Sequence, residues 1–145
     1  MRQRWLVLLV GLIFIVNPSS VSACSCMSLT KAQVVENASL IFTGTVTSAG
    51  SFRSFPVSAG CYRTGDPVSV TFAVEAVYRG EAPRSVTLTT TSNQASCGYE
   101  FVSGKRYTVF ASSAAGQLET NLCRGNAEGA IAPAEYGLGA GRPPS

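Results

Sequence analysis

Five stretches of the chain have the residue pattern of β-strands. The clearest is Val68–Tyr78, where valine, phenylalanine and alanine alternate with serine, threonine and glutamate at a period of two residues. This period places apolar side chains on one face of a strand and polar side chains on the other. The other four predicted strands, in chain order, are Leu40–Thr47, Ser85–Ser92, Arg106–Ser112 and Gln117–Leu122.

One short helix is predicted ahead of the first strand. Thr30 is followed three residues later by Gln33, which is the capping-box pattern of a helix N-terminus. The helix is expected to continue to about Ala38, with Ala32, Val35 and Ala38 on one face. One helix followed by five short strands is typical of a small barrel, so the predicted class is all-β with a minor α part.

Two segments lack this periodicity. Ala49–Pro67 contains three glycines and two prolines and is predicted to be a long loop, which holds Cys61. Residues 125–145 contain five glycines and three prolines. We expect this second segment to be a poorly ordered tail with one helical turn near Ala134.

Residues 1–23 have the three parts of a secretory signal peptide. Arg2 and Arg4 precede an apolar run of 12 residues, and Val21-Ser22-Ala23 supplies the small residues of a cleavage site. The apolar run is too short to span a bilayer as a helix. Cleavage after Ala23 would leave one domain at residues 24–124, followed by the tail.

Charge and residue types narrow the range of functions. Without the signal peptide, the chain has nine lysines and arginines and eight acidic residues, so its net charge is close to zero. No dedicated nucleic-acid surface is therefore expected. The chain has no histidine, which excludes Ser-His and Cys-His nucleophiles and imidazole-dependent zinc sites. We therefore expect a protein that is not an enzyme and needs no cofactor.

All five cysteines lie in the predicted exported part. In an oxidising compartment disulfides are the expected state. Two bridges with one cysteine left over can be drawn in many ways, and composition does not choose among them. A metal cluster is the competing interpretation, but the wide spacings match no common zinc pattern. The five cysteines are Cys24, Cys26, Cys61, Cys97 and Cys123.

Several motifs resemble the tissue inhibitors of metalloproteinases. The predicted mature chain starts Cys24-Ser25-Cys26, and Ser96-Cys97-Gly98 is similar to that family's Val-Cys-Gly motif. Gly104–Val109 resembles its Gly-Lys-x-Tyr strand, and Leu118–Cys123 resembles its Ile-Thr-Leu-Cys ending. The resemblance covers residues 24–123 and implies a netrin-type module, a five-stranded OB-like barrel. The further early cysteine and the C-terminal subdomain of the animal inhibitors are absent from this sequence.

The resemblance also implies the connectivity and the site. The family's bridges correspond to Cys24–Cys97 and Cys26–Cys123, which leaves Cys61 unpaired. The partner would be a zinc metalloprotease, whose zinc the Cys24 amine and carbonyl would chelate. Ser25 would then enter the specificity pocket. The remaining protease contacts would be Cys26, Gln94, Ala95 and Ser96.

One alternative to a secreted inhibitor and one alternative assembly stay open. The first is an extracellular or cell-surface binding module without inhibitory activity. Val21–Cys24 also fits a bacterial lipobox, and in that case a lipid on Cys24 would anchor the module to the cell surface. Only in that case is a membrane partner expected. The second concerns assembly: a monomer is expected, and a Cys61-linked dimer is the alternative. Contacts for a binding module would come from Tyr62, Arg63, Tyr78, Arg79 and Tyr99.

Overall fold

The computed structural model of the chain describes residues 24–52 and 66–145. The predicted signal peptide lies outside this range. So does most of the predicted loop, with Cys61, Tyr62 and Arg63. No helix among the described residues is long and apolar enough to cross a membrane.

Five strands close into a barrel, which confirms the predicted fold class. The neighbours follow the order β1-β2-β3-β5-β4, and β4 pairs back with β1. All contacts between these neighbours are antiparallel except the one between β3 and β5. The strands are β1 Leu40–Ala49, β2 Pro67–Arg79, β3 Ser85–Thr91, β4 Arg106–Ala114, β5 Gln117–Glu119 and an added β6 Ala127–Glu128.

The interior of the barrel is filled by the apolar face that the alternation predicts. Phe72, from the clearest strand, is fully buried. Its ring lies edge-on to Phe42 and Phe101, with centroids 5.3 and 5.1 Å apart, an arrangement that aromatic rings favour. Val70 and Leu88 complete the same cluster from β2 and β3.

Strand β1 is irregular at Gly44, where its backbone lies very close to that of β2. Its register against β2 shifts between Thr43 and Gly44, as expected at a bulge. A Cβ atom at Gly44 would lie 2.7 Å from the carbonyl oxygen of Ala73. Only glycine allows the two backbones to approach this closely.

The predicted helix forms as α1, Lys31–Glu36, and the capping box is confirmed. The Thr30 side chain accepts from the backbone N–H of Gln33, and the Gln33 side chain accepts from the backbone N–H of Thr30. The buried face differs from the prediction, because Ala32 is exposed. Val34, Val35 and Ala38 pack against the outside of the barrel instead.

The sequence predicts a poorly ordered tail at residues 125–145, and the structure instead packs this segment against the barrel. Ile131, Tyr136 and Leu138 cover Ile41 and Phe110, which point outward from β1 and β4. The predicted turn near Ala134 is the 3-10 helix Pro133–Tyr136. The three apolar side chains are spaced too irregularly to give a helical or strand period, so the sequence pattern does not predict that they pack against the barrel.

Candidate functional site

Two turns meet at one edge of the barrel because β3 and β5 are parallel. Parallel neighbours have their carboxyl ends at the same edge of a sheet. The 3-10 turn Gln94–Ser96 and Cys97 follow β3, and the 3-10 turn Leu122–Arg124 follows β5. A hydrogen bond of 2.8 Å from the Leu122 N–H to the Cys97 carbonyl oxygen joins the turns.

Two disulfides attach the chain start to these turns. Cys24 is bonded to Cys97 and Cys26 to Cys123, with Cα separations of 5.1 and 5.2 Å. Both bridges are those that the resemblance implies. Paired disulfides of this kind are typical of proteins in an extracellular or otherwise oxidising environment.

The segment Cys24–Leu29 has no other anchor among the described residues. Its backbone makes no hydrogen bond to another described residue, and Thr30 of the capping box is the first residue that does. The side chains of residues 25–29 are all exposed, and Cys24 is half-buried. This extended ridge, which we call the N-terminal ridge, is therefore held in place by the two disulfides.

The turn beside Cys24 is fixed by its own side chains. Asn93 caps it, with its side-chain oxygen accepting from the Ser96 N–H at 3.0 Å, and the Thr91 hydroxyl donates to the Ser96 carbonyl oxygen at 2.8 Å. A Cβ atom at Gly98 would lie 2.1 Å from the Thr91 carbonyl oxygen. Gln94 is exposed, and Ala95 and Ser96 are half-buried.

A second asparagine fixes the turn beside Cys26. The Asn121 side-chain oxygen accepts from the Cys123 N–H at 3.0 Å. The predicted strand Gln117–Leu122 therefore ends earlier, at Glu119, and the turn takes its place. Behind it, Asn126 donates to the Asn121 carbonyl oxygen at 3.1 Å and accepts from the Phe110 N–H at 2.9 Å. Sequence analysis did not single out these caps, although the asparagines four residues before Cys97 and two residues before Cys123 are readable turn signals.

Exposed apolar side chains lie on the ridge and beside it. Met27 is 82% exposed, and Leu29 and Leu122 are exposed by more than a third. A cavity of about 240 Å³ opens next to them, lined by Leu29, Val34, Asn37, Asn121, Cys123 and Arg124. Residues 24–30 and 92–99 contain no charged residue. The edge therefore presents an uncharged, partly apolar surface with Arg124 at its margin.

Tyr78 and Tyr99, two of the residues considered for a binding module, contribute no exposed ring to this surface. Tyr99 is half-buried, and its ring centroid lies 4.6 Å from that of Phe101 in the barrel core. Burial raises the pKa of its phenol, with a smaller contribution from Tyr107. Tyr78 packs against the outer cluster of Ile41 and Phe110. Both tyrosines serve packing, and Arg79 remains an exposed residue at the end of β2.

Comparison with known proteins gave no match, since neither a protein-family profile nor a curated protein sequence is significantly similar to this chain. Evidence about function therefore comes from the motifs and from the geometry of the N-terminal ridge.

Proposed function

We propose that this protein is a secreted inhibitor of zinc metalloproteases and that the N-terminal ridge is its inhibitory surface. The observation that carries the proposal is the exposure of Ser25 and Cys26 on a segment that two disulfides hold against a closed barrel. Because the segment is exposed and does not pack against the barrel, it can enter the cleft of a protease without first being displaced.

Zinc chelation follows from the position of Cys24. A catalytic zinc has three protein ligands and an open position occupied by water or substrate. After cleavage behind Ala23, the amine and carbonyl oxygen of Cys24 would be close enough in the chain to bind one metal ion together. The amine must lose its proton to bind, and its ordinary pKa of about 7.7 to 8.0 makes that loss inexpensive near neutral pH.

Ser25 would occupy the pocket that recognises the substrate side chain next to the cleaved bond. It lies between two bridged cysteines, so its backbone is fixed on both sides. Its side chain is small and exposed. A small hydroxyl fits pockets of different widths, and we expect it to permit inhibition of more than one protease.

The rest of the edge would supply contact area. Gln94, Ala95 and Ser96 lie beside Cys24 through the Cys24–Cys97 bridge, and Met27 and Leu122 offer exposed apolar surface. A ridge fixed by two disulfides loses little conformational entropy on binding. Because no side chain of the ridge carries a charge, we expect binding to depend weakly on ionic strength.

A free Cys24 amine is required, so this proposal and a lipid anchor on Cys24 exclude each other. Secretion after cleavage by signal peptidase is the form we propose, with the protein acting as a monomer and without enzymatic activity of its own. Intact mass of the exported protein separates the cases, because a start at Cys24 without added lipid is required.

The test is a titration of the exported protein against a panel of zinc metalloproteases. We expect wild type to inhibit at least one member. A variant with one alanine added before Cys24 should lose inhibition, because the amine moves away from the zinc while both bridges and the barrel are retained. Circular dichroism and disulfide mapping serve as the folding control.

A Ser25→Gly variant adds a second readout. It should weaken inhibition to a degree that differs between proteases with different pockets. Equal inhibition by the wild-type and extended proteins would exclude zinc chelation. If no panel member is inhibited, the inhibitor proposal fails and a binding module without inhibitory activity takes its place.

A further inference from the structure

The two disulfides bring four cysteines together, and the Sγ atoms of three of them form a close cluster. Cys24 Sγ lies 3.7 Å from Cys123 Sγ, although these residues are not bonded to each other. The Sγ atoms of Cys24, Cys26 and Cys123 all lie within 4.8 Å of one another, and Cys97 Sγ is bonded to Cys24. The sequence spacing matched no zinc pattern, but the parallel pairing of β3 and β5 gathers the four residues.

The dimensions of the cluster suit a tetrahedral metal site. Zinc binds thiolates at about 2.3 Å, so neighbouring sulfur atoms in a tetrahedral site lie about 3.8 Å apart. Cys24 and Cys123 already have this separation. The Cα atoms of each bridged pair are just over 5 Å apart, so side-chain rotation can set the two sulfur atoms of each pair at this distance once the S–S bonds are broken.

We propose that the reduced form of this protein binds one Zn²⁺ through the thiolates of Cys24, Cys26, Cys97 and Cys123. Each disulfide takes two electrons and two protons from one equivalent of a dithiol, which becomes a disulfide, and yields two thiols. The four thiols then release four protons as they bind Zn²⁺. Arg124, which lines the same cavity as Cys123, provides a cation near the resulting negative complex.

This site has a structural consequence for the N-terminal ridge. The ridge backbone has no hydrogen bond to another described residue, so reduction alone would release it from the barrel edge. Zinc would hold Cys24 and Cys26 at the same edge through coordination. Zinc binding of this kind would occur in the reduced chain and does not depend on protease inhibition.

Cobalt provides a direct probe of the site. The exported protein is reduced with a water-soluble phosphine, which becomes the phosphine oxide as water supplies the oxygen, and is titrated with Co²⁺ without oxygen. We expect one Co²⁺ per chain, with the visible absorption of a tetrahedral thiolate site, and complete displacement by one equivalent of Zn²⁺. The oxidised protein should give no such absorption.

Single variants locate the ligands. Cys26→Ser and Cys123→Ser should each weaken metal binding by more than the roughly 10- to 100-fold that loss of an outer-shell partner costs. Cys61→Ser leaves all four cluster cysteines in place and should bind as wild type does. The proposal is overturned if reduced wild type gives no tetrahedral absorption, if Cys61→Ser abolishes it, or if Cys26→Ser and Cys123→Ser both bind as tightly as wild type.

Discussion

The N-terminal ridge and residues 125–145 are both attached to the barrel, but by different means. The N-terminal ridge is tied by two disulfides and remains exposed. The segment 125–145 has no cysteine and is held by hydrogen bonds and apolar contacts. Arg142 exchanges two backbone hydrogen bonds of 2.8 Å with Val77, and the ring centroid of Tyr136 lies 5.5 Å from that of Phe110.

This difference shows that a segment can be fixed to the barrel without its side chains being buried. Packing fixes a segment by hiding its side chains, and those side chains are then unavailable to a partner. A disulfide fixes the backbone and leaves the neighbouring side chains free. The ridge therefore has the properties of a contact surface, whereas the 125–145 segment has those of a structural cover over β1 and β4.

Removal of a bridge should have the largest effect. A Cys26→Ser/Cys123→Ser variant opens a loop with a sequence separation of 97 residues, and the unfolding free energy should fall by up to about 4 to 5 kcal/mol. Inhibition should be lost under conditions where the barrel is still folded. Denaturant unfolding and inhibition assays measure the two effects. Full inhibition by this variant would show that the ridge does not need its second anchor.

Gly98→Ala should have the next largest effect, since the new Cβ atom would collide with the Thr91 carbonyl oxygen. The turn that carries Cys97 must then shift, at a cost of about 1 to 3 kcal/mol. Gly139→Ala is the matched control, because a Cβ atom there meets nothing within 4 Å. The same loss of stability in both variants, measured by thermal unfolding, would mean that the close approach at Gly98 is unimportant.

Tyr136→Ala should affect stability without affecting the ridge. Loss of the half-buried ring against Phe110 should lower the unfolding free energy by about 1 to 2 kcal/mol, while inhibition by the folded protein stays unchanged. Tyr136→Phe keeps the ring and should be as stable as wild type. Reduced inhibition by folded Tyr136→Ala would contradict the division between contact surface and structural cover.

The smallest expected effect concerns the ion pair of Lys31 and Glu135, which joins α1 to the 3-10 helix Pro133–Tyr136. The hydrogen bond from Lys31 lowers the pKa of Glu135. The contribution of this ion pair to the unfolding free energy is therefore present at pH values above the ordinary carboxyl pKa. It is lost as pH falls through the lowered pKa of Glu135. Both groups are exposed, so the effect is small.

Glu135→Gln should remove this part of the pH dependence of unfolding, measured in denaturant across acidic pH. Glu100→Gln, at an exposed position, is the control for loss of one negative charge and should leave that part in place. Parallel pH curves for wild type and Glu135→Gln would exclude a contribution from the ion pair.

The sequence predicted the barrel well because strand periodicity reports directly on its core. Strand β2 was predicted at Val68–Tyr78 and runs from Pro67 to Arg79. Residues alone did not choose the cysteine pairing, since the pairing depends on which strand ends meet. The resemblance supplied the two bridges, and the parallel contact of β3 with β5 explains their geometry.

The outer cover could not be predicted from local pattern. Ile41 and Thr43 occupy the face of β1 opposite the core, yet both are fully buried, because α1 and the 125–145 segment lie over that face. A two-residue period indicates which side chains share a face. It does not indicate whether a distant segment with few apolar residues will cover the second face.

The most direct test is to detect coordination of the Cys24 amine to the metal ion of an inhibited protease. A protease from the panel that wild type inhibits is prepared with Co²⁺ in place of its catalytic zinc, and its visible spectrum is recorded with the inhibitor added. The account predicts a spectral change as the amine nitrogen and carbonyl oxygen of Cys24 replace water, and no change with the variant that carries an extra alanine. Inhibition by wild type without a spectral change, or the same change with both proteins, would contradict it.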